Sequence, residues 1–365
     1  MRNSGFMIAA VAAVSTLSGI AYAQSGLLIG TDAMKEWNLI VLGDLNSSSE
    51  VEGRTFVGGN LSGSSSNYAI AGGQPASANG QPGLTVVGNV TGGHKNLNNG
   101  SGAVIGGNVE SGFNLNGNVQ TVKVGGTISN TNVNNNIVQS GLKDSDSNFS
   151  SNLDRQKSLL SSSMTDLSND FNKLSSNSTV AINGNRATFN STPGTDGVAV
   201  FNLTSDQLNQ IGEIAFNLNG ATTAIVNVSG KNITLNDNFL GNVDGLAEKV
   251  IWNFSEAEKL DLSTAWRGSV LAPGADATTH NYIQGSGVFA NLKQDGEMHV
   301  GTYNGGYTPP SGGSSSGGSS SGGTSSGGTP VDVPEAPALG LFMGGVAGLM
   351  LMRRIRARRA AKKGE

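Results

Sequence analysis

A short phrase recurs through the first half of this chain: Phe56-Val57-Gly58-Gly59-Asn60-Leu61, Val86-Val87-Gly88-Asn89-Val90 and Val104-Ile105-Gly106-Gly107-Asn108-Val109. Weaker copies stand at Leu115-Asn116-Gly117-Asn118-Val119 and Val124-Gly125-Gly126-Thr127-Ile128. β-Branched residues suit a pleated, half-buried surface. Glycine, or glycine with asparagine, supplies the positive φ that tight corners need. Strand, corner and strand, repeated at intervals of about 10, 20 or 30 residues, is what a β-solenoid requires. The expectation is an all-β, parallel β-helix-like solenoid, with apolar side chains turned inward at each rung and Asn, Ser and Thr coating the outside. The irregular spacing leaves an up-and-down sandwich as the alternative.

One stretch has a different period. Between Asp144 and Leu174 the apolar residues are Phe149, Leu153, Leu160, Met164, Leu167, Phe171 and Leu174. Steps of three, four and seven define one face of a helix, expected over about 144–175 and capped by Asp144, Ser145 or Ser147. Such a helix, about 45 Å long at 1.5 Å per residue, would brace the solenoid wall; a coiled-coil partner site is the other reading. Strand-like runs then return at Val198–Leu203, Ala224–Val228, Lys249–Phe254 and Ser269–Ala272.

The chain has no cysteine. Disulfides, thiolate zinc sites and thiol nucleophiles are therefore excluded. Between Gln24 and Pro337, 14 Lys and Arg face 25 Asp and Glu, a net −11. An acidic region lacks the basic footprint that nucleic-acid binding needs, so no nucleic-acid partner is expected.

Both ends read as addresses. Residues 1–23 have a positive start at Arg2, an apolar run from Phe6 to Leu17, and the small-x-small site Ala21-Tyr22-Ala23 before Gln24; this is a signal peptide. Residues 24–307 form the expected solenoid domain. Residues 308–330 are a Ser/Gly/Thr/Pro-rich linker that cannot bury a core and is expected to be a disordered tether. Residues 331–365 combine Val333-Pro334-Glu335-Ala336-Pro337, an apolar run over 338–352, and a basic cluster over 353–363 that includes Arg353, Arg354, Arg356, Arg358 and Arg359. The apolar run is short for a spanning helix, which usually needs about 17–25 residues. The arginines act as a membrane stop on the cytoplasmic side, and Pro334 holds the motif extended.

This tail resembles the PEP-CTERM signal, which exosortases process in Gram-negative bacteria. The matching residues are Val333-Pro334-Glu335, the apolar run and the arginine cluster. The second proline stands at Pro337, one place later than in the commonest pattern. The resemblance implies an exosortase-like membrane enzyme as partner, transient residence of a C-terminal hydrophobic sorting helix in the membrane, and a final location at the cell surface or outside the cell.

A second resemblance covers residues 33–304 in order. Trp37-Asn38-Leu39-Ile40-Val41-Leu42-Gly43-Asp44-Leu45, Glu52-Gly53-Arg54 and Val57-Gly58-Gly59-Asn60-Leu61 look like the opening of the choice-of-anchor A family. Ile251-Trp252-Asn253-Phe254-Ser255-Glu256-Ala257 and Gly268-Ser269-Val270-Leu271-Ala272-Pro273 match its second half, and Gly285-Ser286-Gly287-Val288-Phe289-Ala290 with Glu297-Met298-His299 its close. The likeness implies a surface-adhesive domain without catalytic residues, a biofilm or matrix component that binds an extracellular polysaccharide or a matrix protein; some relatives are associated with collagen.

Chemistry-bearing motifs are sparse. Gly285-x-Gly287-x-x-Ala290 spells part of a dinucleotide fingerprint without its βαβ setting, so a strand corner is expected. Gly313-Ser314-Ser315-Ser316-Gly317 spells a nucleophile elbow inside the linker. His94, His280 and His299 lack metal spacing, and Asp44, Glu50 and Glu52 lack the alternation of a calcium loop. No catalytic residue, cofactor or metal is expected, and the domain is read as non-enzymatic. The alternatives are a β-helix polysaccharide-degrading enzyme, which needs convergent carboxylates, and an ice-binding protein, for which Thr222-Thr223 and Thr278-Thr279 are too isolated to make a threonine ladder.

Overall fold

The structure is a computed structural model that describes residues 28–77 and 79–308. The signal peptide with Ala21, Ala23 and Gln24, the linker from 309, Pro334, Glu335, Pro337 and the five arginines lie outside the described residues. Within them, strands too short to stand alone are hydrogen-bonded into sheets of 15, 7 and 4 strands, the largest of which bends through two walls of the coil. Every pairing is parallel except Thr179–Asn183 with Arg186–Asn190. A typical turn runs through three strands, as in Leu39–Val41, Leu45–Ser47 and Glu50–Val51, then Thr55–Val57, Leu61–Ser62 and Ser66–Tyr68. The coil is the parallel solenoid that the repeat predicts, and it has three walls around one core.

The recurrent phrase marks the corner between the first and second walls. Its asparagines form a ladder: Oδ1 of Asp44 accepts the backbone N–H of Asn60 at 2.7 Å, Asn60 that of Asn89 at 2.9 Å, Asn89 that of Asn108 at 2.8 Å, and Asn108 that of Thr127 at 2.9 Å. The side chain of each rung satisfies a backbone donor that the corner would otherwise leave unpaired. The glycines before it make that approach sterically feasible: a Cβ on Gly106 would run into the Val87 carbonyl, and one on Gly107 into Asn89 Oδ1. The copy at Leu115–Val119 is not a member of this ladder. Leu115 ends a third-wall strand, and Val119 lies 55% exposed in the link to the next turn.

The turns are not stacked in chain order. The first wall runs Ile137–Gln139, Thr121–Val124, Ala103–Ile105, Leu84–Val86, Thr55–Val57, Leu39–Val41, Gly287–Gln294, Ser269–Thr279, Val250–Asn253, Thr223–Ser229, Val198–Thr204. The chain therefore starts mid-stack, coils to one end, crosses to the other, and coils back until Gly287–Phe289 pairs with Leu39–Val41. Both halves advance the same way along the axis, so one hand of coil serves both. Buried side chains staple the seam. Asn38 donates from Nδ2 to the carbonyls of Gly285 (2.7 Å) and His299 (3.0 Å) and accepts from Gly53 N–H (3.0 Å). Gln294 links Ser47 Oγ (2.8 Å) to the Glu50 carbonyl (2.9 Å).

The crossing is made by the long helix, Phe149–Asn172. It is shorter than the expected 144–175 at both ends: a separate short turn, Leu142–Ser145, ends at Asp146, whose carboxylate accepts Asn148 N–H at 3.0 Å, and the long helix stops before Lys173. None of Asp144, Ser145 or Ser147 caps the long helix; its N-cap is Asn148. Twenty-four residues span about 36 Å. That matches the roughly 38 Å of eight strand spacings from Gly125, under Phe149, to Asn227, under Phe171. Leu160, Met164, Leu167 and Phe171 pack on the outward side chains of the first wall, Ile40, Phe56, Ile225, Ile251, Leu271 and Val288. This explains why first-wall strands are apolar on both faces.

The two ends of the stack differ. At Val198–Thr204, Asn177 covers the edge, accepting Val200 N–H at 2.8 Å and donating to the Val198 carbonyl at 2.9 Å. The opposite edge, Ile137–Gln139, has no further strand beyond it among the described residues, and Val119, Val133 and Ile137 are exposed there.

Candidate functional site

With the first wall under the helix, the second and third remain open to solvent. On the second wall, alternate residues point outward and fall in two columns. One is Asn232, Lys259, Asp276 and Asn291, continued by the ladder from Asp44 to Thr127. The other is Thr234, Asp261, Thr278, Lys293, Asn46 and Ser62. Bridges Leu61–Val90–Val109–Ile128 carry it on to Thr91, Glu110 and Ser129. Each column repeats a polar side chain about every 4.8 Å along the axis.

The third wall has an asparagine row, Asn114, Asn96 and Asn67, in which Asn114 donates to Asn96 at 2.8 Å and Asn67 to Glu50 at 2.9 Å. Further along, the chemistry changes. Arg267 stands 5.1 Å from the Tyr282 ring and donates to its hydroxyl at 2.7 Å; Tyr282 stacks on His299 with centroids 4.5 Å apart; His299 contacts Glu297 at 2.6 Å. Arg267, Tyr282 and His299 come from successive turns, so no local motif announced their stacking. The only signal was their near-constant separation in sequence, one turn apart.

The residues weighed individually in the sequence do not converge. Asp44 belongs to the second-wall ladder, Glu50 faces Asn67 on the third, and Glu52 accepts Val300 N–H at 2.6 Å at a corner. His94 contacts the Asn130 carbonyl at 3.3 Å and His280 contacts Asp261 at 3.0 Å. Among the described residues, no three His, Asp or Glu side chains gather as a metal site would require. Gly285 is a corner at φ 147° and Gly287–Gln294 is a strand, so the partial dinucleotide spelling has no helix behind it. Thr223 is buried and bonded to Tyr303 at 2.7 Å.

Asp237, at the corner between the second and third walls, is buried with neither carboxylate oxygen hydrogen-bonded, and burial pushes its pKa up to about 7. The fold accommodates the neutral acid better than the anion. Its contribution to stability is therefore full below the ordinary carboxyl value near 4 and is lost as pH rises through about 7. Asp237→Asn should flatten the decline in thermal midpoint over that window. A wild-type midpoint that stays level from pH 4 to 7 would contradict this assignment.

A three-walled parallel stack with a helix across one wall leaves two polar walls that repeat their side chains along the axis. A family model described as "Putative Ice-binding-like adhesive domain" matches residues 30–300, and the chain belongs to that family. No curated protein and no solved structure matches it.

Proposed function

We propose that the chain is an exported, non-enzymatic adhesin or matrix component of the choice-of-anchor A kind, holding an extracellular polysaccharide or matrix protein. The observation that carries this reading is the pair of regular polar columns along the open second wall, in a member of an adhesive-domain family. Such columns offer many weak equivalent contacts, which suits avidity on a polymer. They mix Asn, Asp, Lys, Ser and Thr, so they do not repeat a single residue as an ice-matching surface would. The signal peptide would direct export, and an exosortase-like enzyme would act on Pro334, Glu335 and Pro337 while Arg353, Arg354, Arg356, Arg358 and Arg359 hold the tail in the inner membrane.

A strain lacking the protein should lose surface attachment and biofilm cohesion, and the wild-type gene should restore them. A gene carrying Pro334→Ala and Glu335→Ala should instead leave a membrane-bound precursor that still ends at Glu365 by intact mass. Normal attachment of the deletion strain under several conditions would remove the adhesive reading. A wild-type surface protein with an uncut terminus would remove the sorting step.

A further inference from the structure

Among the described residues the free edges of the sheets are short or covered, with one exception. Ile137–Gln139 has three residues, and Asn177 covers Val198–Thr204. Thr179–Asn183 has five, lies outside Arg186–Asn190 in the 4-stranded sheet, and has no strand on its other side. Gly184, at φ 61°, and Asn185 turn this hairpin, and the Asn185 carbonyl accepts Gly212 N–H at 2.8 Å and Glu213 N–H at 3.1 Å. The edge is thus held to the turn behind it, one strand spacing, about 4.8 Å, further out than Arg186–Asn190. An unpaired edge is a template for another strand and is commonly guarded by Lys, Pro or a bulge. Thr179–Asn183 has no Lys or Pro, and its register with Arg186–Asn190 is unbroken.

We propose that two copies of this chain join head to head through Thr179–Asn183, paired antiparallel about a twofold axis at Ala181. The proposal goes beyond the adhesive reading and does not depend on it. The axis sets Val180 of one copy opposite Ile182 of the other, and the reverse. Both side chains share a face with the buried Ala187 and Phe189, their partners in the hairpin. Val180 packs on the core, whereas Ile182 is 49% exposed because nothing lies beyond it; the second copy would cover it. The pairing adds about four to six backbone hydrogen bonds and makes one sheet of two. Charge favours this edge over the rest of an acidic surface: the strand carries none, and Arg186 of its neighbour is already paired with Glu213 at 2.9 Å. The described chain also ends near here. Tyr303 bonds Thr223, one strand in from Val198–Thr204, at 2.7 Å, and Tyr307 packs on Phe171 with centroids 4.8 Å apart. Both copies would therefore continue past residue 308 from the paired ends, so two copies held at one surface can meet this way.

Sedimentation of the full chain over rising concentration should show a monomer–dimer equilibrium. Ile182→Lys places two like charges about 7–8 Å apart across the pair, and should weaken association by about tenfold or more while leaving the thermal midpoint unchanged. Ile137→Lys, at the other end of the stack, should leave association unchanged. Because the chain has no cysteine, Ala181→Cys gives a second readout. Its two copies would face each other with Cβ atoms about 4.5–5.5 Å apart, and mild oxidation should link them faster than it links Ile137→Cys. A chain that stays monomeric up to about 1 mM, or a dimer indifferent to Ile182→Lys, overturns the proposal. Faster linking through Ile137→Cys than through Ala181→Cys would also overturn it, by moving the contact to the opposite edge.

Discussion

Trp252→Ala should lower the stability of the domain by about 3–5 kcal/mol, the largest effect expected of any single truncation in this core. The indole is fully buried and sits at the centre of a ring cluster. Phe189, Phe216, Phe239 and Trp266 surround it with centroids 5.6, 5.8, 6.2 and 4.9 Å away, mostly edge to face. These rings come from four separate turns, so the cavity left by alanine cannot close by one side chain relaxing. The indole N–H also donates to the Arg267 carbonyl at 2.9 Å, and that acceptor would lose its partner. Chemical denaturation should show the loss as a shift of the midpoint; a change below about 1 kcal/mol would mean that the cluster repacks and that this description of the core is wrong.

Asn38→Leu should cost a comparable amount by a different route. The side chain is completely buried and joins backbone groups on both sides of the seam: Gly285 and His299 from the late turns, Gly53 from the early ones. Leucine has a similar volume but no polar atoms, so the Gly285 carbonyl and the Gly53 N–H would be left without partners, each at about 1–3 kcal/mol, and the His299 carbonyl would keep only the Gly285 N–H at 3.4 Å. The damage should be local in hydrogen exchange, with protection falling first at Leu39–Val41 and Gly287–Phe289, the two strands that meet there. Uniform loss of protection along the whole stack would argue that the seam is no weaker than any other turn.

Both residues stand in phrases that the sequence singles out, yet their roles were only partly legible. The β-branched runs and Gly-Asn corners give strands, corners and an inside face, because these depend on local φ and side-chain alternation. The helix was visible for the same reason, but both expected ends overshoot: it begins at Phe149, the first residue of the apolar period, with Asn148 N–H bonded to Asp146 ahead of it, and it stops at Asn172, short of Leu174. What a residue touches several turns away has no local trace. Asn253, in a strand phrase, anchors the helix by accepting from Ser168 Oγ at 2.6 Å and donating to the Ser168 carbonyl at 2.9 Å. Asn227 does the same one turn away, donating to the Phe171 carbonyl at 2.8 Å. Nothing in the composition of either strand separates these buried asparagines from the exposed ones of the ladder. The pocket in which Glu36, Glu52 and Arg54 meet Ala71 and Pro75 was equally hidden, since these residues come together only after the coil has formed.

The mid-stack start of the chain also sets a timetable for folding. During synthesis the early turns can coil on one another as they emerge, because their partners are one turn away in sequence. The strand Leu39–Val41 cannot complete its pairing until Gly287–Phe289 has emerged. For that interval it is an open parallel edge, a template for any other extended segment. Closing it joins residues as distant as Asn38 and Gly285, 247 positions apart, and contacts of such long range form slowly. The late turns must first build from the far end, with the helix already laid across the gap. The last bond to form is therefore the one nearest the beginning of the domain, and a chain arrested before residue 285 would present an edge that the finished protein never shows.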